Sequence, residues 1–250
     1  MHSLENQRVV VTGGSRGLGL GIVEALVARK AEVVVVARDA ARLAEVKRRL
    51  GVAVVAADAT ERATASSVLR DVRPAALVLS AGVAPAMAPI HEQTWEDFSA
   101  IWQHDVKAGF HWIQEALRLP LAPKSRVIIG SSGAAIGGSP LSGGYAGAKR
   151  MLWLMAKYAN GVSAERGLGI GFQAILPMQI IGETDLGKSA ATAYAAKKGV
   201  SIDAFLAGFG KPLLARDVGE HVAAILTDPK YESGVAFGLK GDTGVQELER

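Results

Sequence analysis

Residues 9–21 read VVVTGGSRGLGLG, an apolar run followed by five glycines before the next apolar stretch. Val9–Val11 has the β-branching and shortness of a buried strand. Helical periodicity takes over at 17–29, where Leu18, Ile22 and Leu26 share one side. Glycines between a strand and a helix allow a tight turn and a close backbone approach to a pyrophosphate. They also leave the free N–H groups of the helix facing an anion. The spacing is Gly13-x-x-x-Gly17-x-Gly19 rather than the G-x-G-x-x-G fingerprint. Glycine also serves plain turns, so position decides: this cluster follows the first strand and opens the first helix, which points to a nucleotide.

Outward from that turn the same rhythm repeats. AEVVVVARD is a second buried run, followed by a helix through Leu43 and Leu50, then VAVVAAD, an amphipathic stretch at 61–71, and AALVLSAG. After a loop at 83–91 come a long helix to about residue 118, the strand SRVIIGSSG, a helix over 143–164 and the strand GIGFQAIL. A helix at 217–227 and the run GVAFGL complete the sheet. Continuous Val/Leu runs alternating with helices describe a parallel sheet covered on both faces. The predicted fold is therefore α/β: a doubly wound Rossmann-type parallel sheet flanked by helices on both faces, one domain over 1–250. Ligand is expected at the carboxyl ends of the strands. Segment 178–210 interrupts the rhythm with two short helical patterns, as a substrate-binding lid would.

Composition narrows the class. Hydrophobic residues are 49% and charged residues 21% of the 250, an ordinary globular balance. No apolar run reaches the ~20 residues that span a bilayer, and the N-terminus lacks a signal-peptide layout, so no membrane is expected. With no Cys there is no disulfide framework, and a cytoplasmic location is the expectation. The net charge of +4 raises nucleic acid, but KRR at 47–49 and KK at 197–198 are scattered among acids, with no nucleic-acid motif around them. An anionic cofactor suits a mildly basic chain.

Arg38 closes the second strand. An acid there would accept bonds from a ribose 2′-OH, whereas arginine suits a 2′-phosphate. Arg16, inside the glycine turn, adds a second positive charge, although Asp39 could partly neutralise Arg38. Two arginines at two expected places favour NADP over NAD. Asp58, ending the third strand, is placed to bond adenine or to cap a helix.

These residues resemble the short-chain dehydrogenase/reductase family, over nearly the whole chain. TGGSRGLG (12–19) is similar to its glycine motif, DAT (58–60) to its adenine-side Asp, and YAGAK (145–149) to its Tyr-x-x-x-Lys active site. Ser132 lies thirteen residues upstream of Tyr145, where that family carries its catalytic serine. The resemblance implies a cofactor site of Gly13, Ser15, Arg16, Gly17, Leu18, Gly19, Arg38, Asp58, Ala59, Ser80, Ala81, Gly82, Tyr145, Lys149, Pro177 and Thr184. It implies Ser132, Tyr145, Lys149 and Asp105 as the catalytic set.

In the mechanism so implied, Tyr145 exchanges a proton with the substrate oxygen as hydride moves to or from the nicotinamide. A free phenol ionises at about pH 10, and lowering that by about three units takes roughly 4 kcal/mol. Lys149 and the oxidised nicotinamide would favour phenolate. Lys149 would also hold the nicotinamide ribose, and Ser132 would orient the substrate oxygen. Three positions depart from the family pattern. Ser80-Ala81-Gly82 replaces Asn-Ala-Gly. Asp105 stands where the family has an Asn that helps anchor a water beside the lysine; an ionised Asp accepts but cannot donate, and could pair with Lys149 or Lys107. Pro177-Met178 replaces Pro-Gly, with Met178 crowding a small position, and Thr184 is displaced from the family's carboxamide-binding threonine.

His91, His104 and His111 lack metal-ligand spacing, so no metal is expected. Trp95, Trp102, Trp112 and Trp153 fall on the two helices that family members use for dimer contacts, which suits a homodimer or homotetramer as well as core packing. Met87, Ile136, Leu141, Met178, Ile180, Phe205 and Phe209 are the expected lining of an apolar substrate pocket. The expected function is an NADP(H)-dependent oxidoreductase acting on a small-molecule carbonyl or alcohol. The alternative, motivated by the three departures, is a nucleotide-binding sensor or regulatory protein with little turnover.

Overall fold

The computed structural model describes residues 3–249. Along the chain run β1 (Arg8–Thr12), α1 (Gly17–Ala28), β2 (Glu32–Ala37), α2 (Ala40–Leu50), β3 (Ala53–Ala56), α3 (Arg62–Val72), β4 (Ala76–Leu79), α4 (Trp95–Ile101) and α5 (Lys107–Arg118). There follow β5 (Arg126–Gly130), α6 (Ala134–Gly137), α7 (Tyr145–Glu165), β6 (Gly171–Pro177), α8 (Asp185–Lys198), α9 (Ile202–Ala207), α10 (Ala215–Thr227), β7 (Ala236–Lys240) and β8 (Gly244–Glu249). The strands form one sheet in the order β3-β2-β1-β4-β5-β6-β7-β8, parallel except for β8 against β7. The order reverses between β1 and β4, and a crevice opens at the carboxyl ends there.

Alternation along β1 shows why the strands read as continuous apolar runs. Val9 and Val11 enter a core with Ile22 and Leu26 of α1 and Val222 and Ile225 of α10. Val10 enters the opposite core with Trp112 of α5 and Met155 of α7. A strand buried on both faces loses the polar half of its pattern. No helix among the described residues is long and apolar enough to cross a membrane.

Two elements differ from the sequence reading. The long helix expected to run to about 118 is α4 and α5 joined by a π-helical turn, Trp102–Val106, which carries Asp105. Such a turn inserts one residue and re-aims the side chains beyond it, and apolar periodicity over a few residues does not reveal it. The edge strand β8 was not expected beyond GVAFGL. Its sequence GVQELE is half exposed and carries two carboxylates, so it lacks the apolar run of an interior strand.

Helices α1 and α10 meet backbone to backbone. A Cβ on Gly21 would lie 2.3 Å from the Ala215 carbonyl oxygen, and one on Gly219 would lie 2.2 Å from the Gly21 carbonyl oxygen. Gly21→Ala gains at most about 1 kcal/mol of helix propensity. It forces the helices apart at a cost of about 1–3 kcal/mol. Thermal denaturation should show a Tm several degrees lower; an unchanged Tm would mean the pair can slide apart freely.

Candidate active site

A cleft of about 800 Å³ lies over the carboxyl edge of the sheet. It is lined by Gly13, Ser15, Arg16, Gly17, Leu18, Gly19, Arg38, Asp58, Ala59, Ser80, Ala81, Gly82, Tyr145, Lys149, Pro177 and Thr184, with Ser132 and Asp105. Residues from nine separate stretches of chain thus share one concavity.

At one end is the glycine turn. Gly13 has φ of +71°, and a Cβ there would sit 2.6 Å from the Ala81 Cα, so only glycine lets the turn pass the end of β4. Arg16 occupies the N-cap of α1 in extended conformation with no side-chain cap, leaving the first N–H groups of the helix uncapped toward the cleft. The buried Thr12 hydroxyl accepts the backbone N–H groups of Ser80 and Ala81, both at 3.2 Å, fixing the end of β4 against β1. Nothing in the local sequence marks Thr12, because its partners lie on another strand.

Three arginines line this end: Arg16, Arg38 and Arg42. Asp39 does not neutralise Arg38. Its carboxylate caps α2 at the Arg42 N–H (3.0 Å) and pairs with the Arg42 guanidinium at 3.2 Å. Arg38 is exposed and forms no ion pair among the described residues. The sequence around Arg42 carries no signal for it, because it lies inside α2 and reaches the cleft only through its position one turn after Arg38. Arg16 bridges to Asp185, at the start of α8, at 2.9 Å. Asp58 accepts the Thr60 N–H at 2.8 Å and does not cap α3. That hydrogen bond holds its carboxyl below the usual range against the opposing effect of burial, with Arg38 adding to it.

At the centre, α7 begins at Tyr145, and the chain just before it is pressed against α4: a Cβ on Gly144 would lie 2.3 Å from the Phe98 carbonyl oxygen. One turn later Lys149 Nζ lies 5.5 Å from the centroid of the Tyr145 ring. The ammonium pairs with Asp105 at 2.8 Å, the two side chains being 12% and 2% exposed, and donates to the Gly130 carbonyl at 3.4 Å. Of its three donors, one remains for a ligand. The other Asp105 oxygen accepts the Val83 N–H at 3.0 Å. Asp105 therefore pairs with Lys149; Lys107 reaches Glu61 instead, at 3.5 Å. Burial pushes the Lys149 pKa down, but the carboxylate of Asp105, helped by Tyr145, outweighs it and holds it above the ordinary lysine value. Ser132 Oγ accepts the Ala134 N–H at 3.2 Å, leaving its O–H to donate.

The far end is apolar. Met87, Met178, Ile180, Phe205 and Phe209 line it, together with Tyr194. Ile136 and Leu141, expected among them, do not: Ile136 sits in the short α6 and is exposed, while Leu141 turns inward and is buried. Met178 is accommodated by missing side chains: its sulfur would lie 3.4 Å from a Cβ on Gly133, and its Cγ 3.3 Å from one on Gly238. Thr184 lines the cleft, but its hydroxyl is committed as the N-cap of α8, donating to Ile181 O and accepting the Gly187 N–H. His104 and His111 bond the carbonyls of Ala100 and Thr60 through Nδ1, and His91 is an exposed neighbour of Glu92. Trp112 is core, Trp153 bonds Glu249, and Trp95 and Trp102 are exposed.

An open parallel sheet with a glycine turn after β1 and a cleft at its order reversal is a nucleotide-binding fold of the Rossmann type. The profile of the short chain dehydrogenase family matches residues 7–198, and the chain belongs to that family. It is 33% identical over 150 residues to the short chain dehydrogenase/reductase AacuD of Aspergillus aculeatus, a match covering 56% of this chain and 53% of that protein. Two solved structures share the fold at a TM-score of 0.77 and 21% identity. One is the 3-ketoacyl-(acyl-carrier-protein) reductase of Brucella melitensis with NADH, with 96% of this chain and 99% of that one aligned. The other is the L-sorbose reductase of Gluconobacter frateurii with NADPH and L-sorbose, with 96% and 97% aligned.

Proposed function

We propose that this protein is an NADP(H)-dependent oxidoreductase that interconverts a carbonyl and an alcohol. The observation that carries the reading is the meeting of Ser132, Tyr145 and Lys149 in the same cleft as the uncapped N-terminus of α1 and three arginines. The residues suit a dinucleotide: Gly13 lets the turn pack against the end of β4, the α1 N–H groups suit a pyrophosphate, and Arg38, Arg42 and Arg16 suit a 2′-phosphate. When bound, the nicotinamide supplies or accepts the hydride. Tyr145 then gives its phenolic proton to the substrate oxygen in reduction and takes it back in oxidation. The Ser132 O–H donates to the same oxygen and fixes its direction. Lys149 keeps a positive charge beneath the phenol and offers its remaining N–H to the cofactor side. Residues 178–210 act as the lid, with α8 reaching the glycine turn through Asp185.

The two solved neighbours carry NADH in one case and NADPH in the other, so this fold takes either, and the adenosine end decides. Arg38 is in no ion pair among the described residues, which supports the phosphorylated form. Arg38→Ala should weaken NADPH binding by about 10- to 100-fold, the worth of a lost charge-assisted contact. NADH binding should change little. Calorimetric titration with both cofactors checks this; tighter NADH than NADPH binding to the unaltered protein would reject the assignment. The exposed Trp95, Trp102, Phe110 and Tyr158 on α4, the π-helical turn, α5 and α7 support a homo-oligomer.

A second reading, a nucleotide-binding regulator with little turnover, is favoured by the Asp105–Lys149 bridge, since the carboxylate offsets the charge that Lys149 presents to Tyr145. A panel of ketones and aldehydes with NADPH separates the two. Tight NADPH binding without oxidation at any pH selects the regulator.

A further inference from the structure

The cleft continues beyond Tyr145 along a wall whose members are tied to one another. The Tyr145 N–H donates to the Ser142 carbonyl at 3.1 Å, and the Ser142 N–H to the Ser139 carbonyl at 3.0 Å. The Ser139 and Tyr194 hydroxyls lie 2.7 Å apart, and the Leu141 N–H donates to the Tyr194 oxygen at 3.2 Å. The Tyr194 ring stacks on Phe205, with centroids 6.2 Å apart. At the end of this wall, Lys198 Nζ lies over Phe205 at 5.2 Å from the ring centroid. Ser139, Tyr194, Lys198 and Phe205 all line the cleft.

Charge is distributed unevenly along it. The acids that line the cleft are Asp39, Asp58, Asp105 and Asp185. Asp39, Asp105 and Asp185 are paired with Arg42, Lys149 and Arg16, and Asp58 takes the Thr60 N–H. Of the lining cations, the arginines belong to the glycine-turn end and Lys149 is neutralised by Asp105. Lys198 alone stands at the apolar end, with no ion pair among the described residues. A lysine in the last turn of α8 also suits the helix dipole. Lys197 occupies that turn too and does not line the cleft, so the dipole does not explain why Lys198 lies over an aromatic ring at its mouth.

Resting on the reductase reading above, we propose that the substrate is an anionic carbonyl compound. Its C=O sits at Ser132 and Tyr145, its apolar body runs along Tyr194 and Phe205, and a carboxylate at its far end is received by Lys198. An apolar wall between a reacting centre and a single unpaired cation selects a molecule that is apolar in the middle and charged at the far end. A neutral analogue of the same length keeps the apolar contacts and leaves the ammonium to water.

The test uses the intact protein with NADPH and a series of straight-chain keto acids that differ in the number of methylenes between ketone and carboxylate, each alongside its methyl ester. At one or more lengths the acid should exceed its ester in kcat/KM by about tenfold, chiefly through KM, as expected for one charge-assisted contact. Added salt should shrink that ratio. Lys198→Met should bring it toward one, Lys198→Glu should invert it, and Lys198→Arg should keep it. Esters reduced as well as acids at every length would overturn the anionic substrate while leaving the reductase intact, as would an undiminished ratio in Lys198→Met. No reduction of any acid or ester would overturn both readings together.

Discussion

Tyr145→Phe should lower kcat by about 10²- to 10⁴-fold, the usual worth of a positioned general acid, with NADPH still bound. The variant is a clean one because the phenol oxygen makes no hydrogen bond to another described residue, so phenylalanine leaves no orphaned partner. The ring keeps its place above Lys149 and at the start of α7. What is removed is the proton. Steady-state kinetics on the best ketone of the panel, alongside NADPH titration, measures both halves of the statement. A variant that kept full activity would move the acid elsewhere, and the O–H of Ser132 is the next group in reach of the same oxygen. A variant that lost NADPH binding as well would report damage to the cofactor site.

Asp105→Ala should be the most destabilising substitution in the cleft. It leaves the Lys149 ammonium buried without its carboxylate and the Val83 N–H without its acceptor. Breaking a buried pair from one side costs about 3–5 kcal/mol. For a chain of this size that is a Tm loss on the order of 6–20 °C. Asp105→Asn keeps the acceptor for Val83 and the volume, so it should lose less, and the difference between the two variants isolates the charge. The pH dependence follows from the raised pKa of Lys149. Stability from the pair is fully present below the ordinary lysine value of 10.5 and is lost as pH rises through the higher folded value. The unaltered protein should therefore shed stability above about pH 10.5, and Asp105→Asn should shed less of it there. Denaturation followed by circular dichroism between pH 7 and 11 checks the sign. A loss below about 1 kcal/mol in Asp105→Ala would mean that water replaces the carboxylate at little cost.

How much of this was readable beforehand divides by range. The glycine turn, the alternating strands and helices, and the Tyr145–Lys149 spacing are local, and each is written in neighbouring residues. The parallel strands are apolar on both faces, so even their interior position was visible. The π-helical turn, the edge strand β8 and the inward turn of Leu141 were not, because burial there is settled by elements distant in sequence. The same holds in the cleft. Asp39 and Arg38 are adjacent in the chain, yet the carboxylate goes to Arg42, since capping α2 aims it at the first turn of that helix. Arg16 and Asp185 are 169 positions apart and meet only because α8 folds over the glycine turn. The sequence allows Asp105 either Lys149 or Lys107, and the π-helical turn decides for Lys149 by setting the direction of that side chain.

Gly82 and Asp105 do not vary independently. A Cβ at position 82 would lie 2.7 Å from one Asp105 carboxylate oxygen and 3.0 Å from the other. Even alanine there would push the carboxylate off both the Val83 N–H and Lys149. Any lineage that gained a side chain at 82 while keeping an acid or amide at 105 would pass through a form with its lysine unpaired. Shortening residue 105 first leaves the same ammonium unpaired, so either single step passes through that form. The two positions are therefore locked together, and neither changes alone without unpairing the lysine. A combinatorial library randomised at both sites should return glycine at 82 wherever Asp or Asn is recovered at 105.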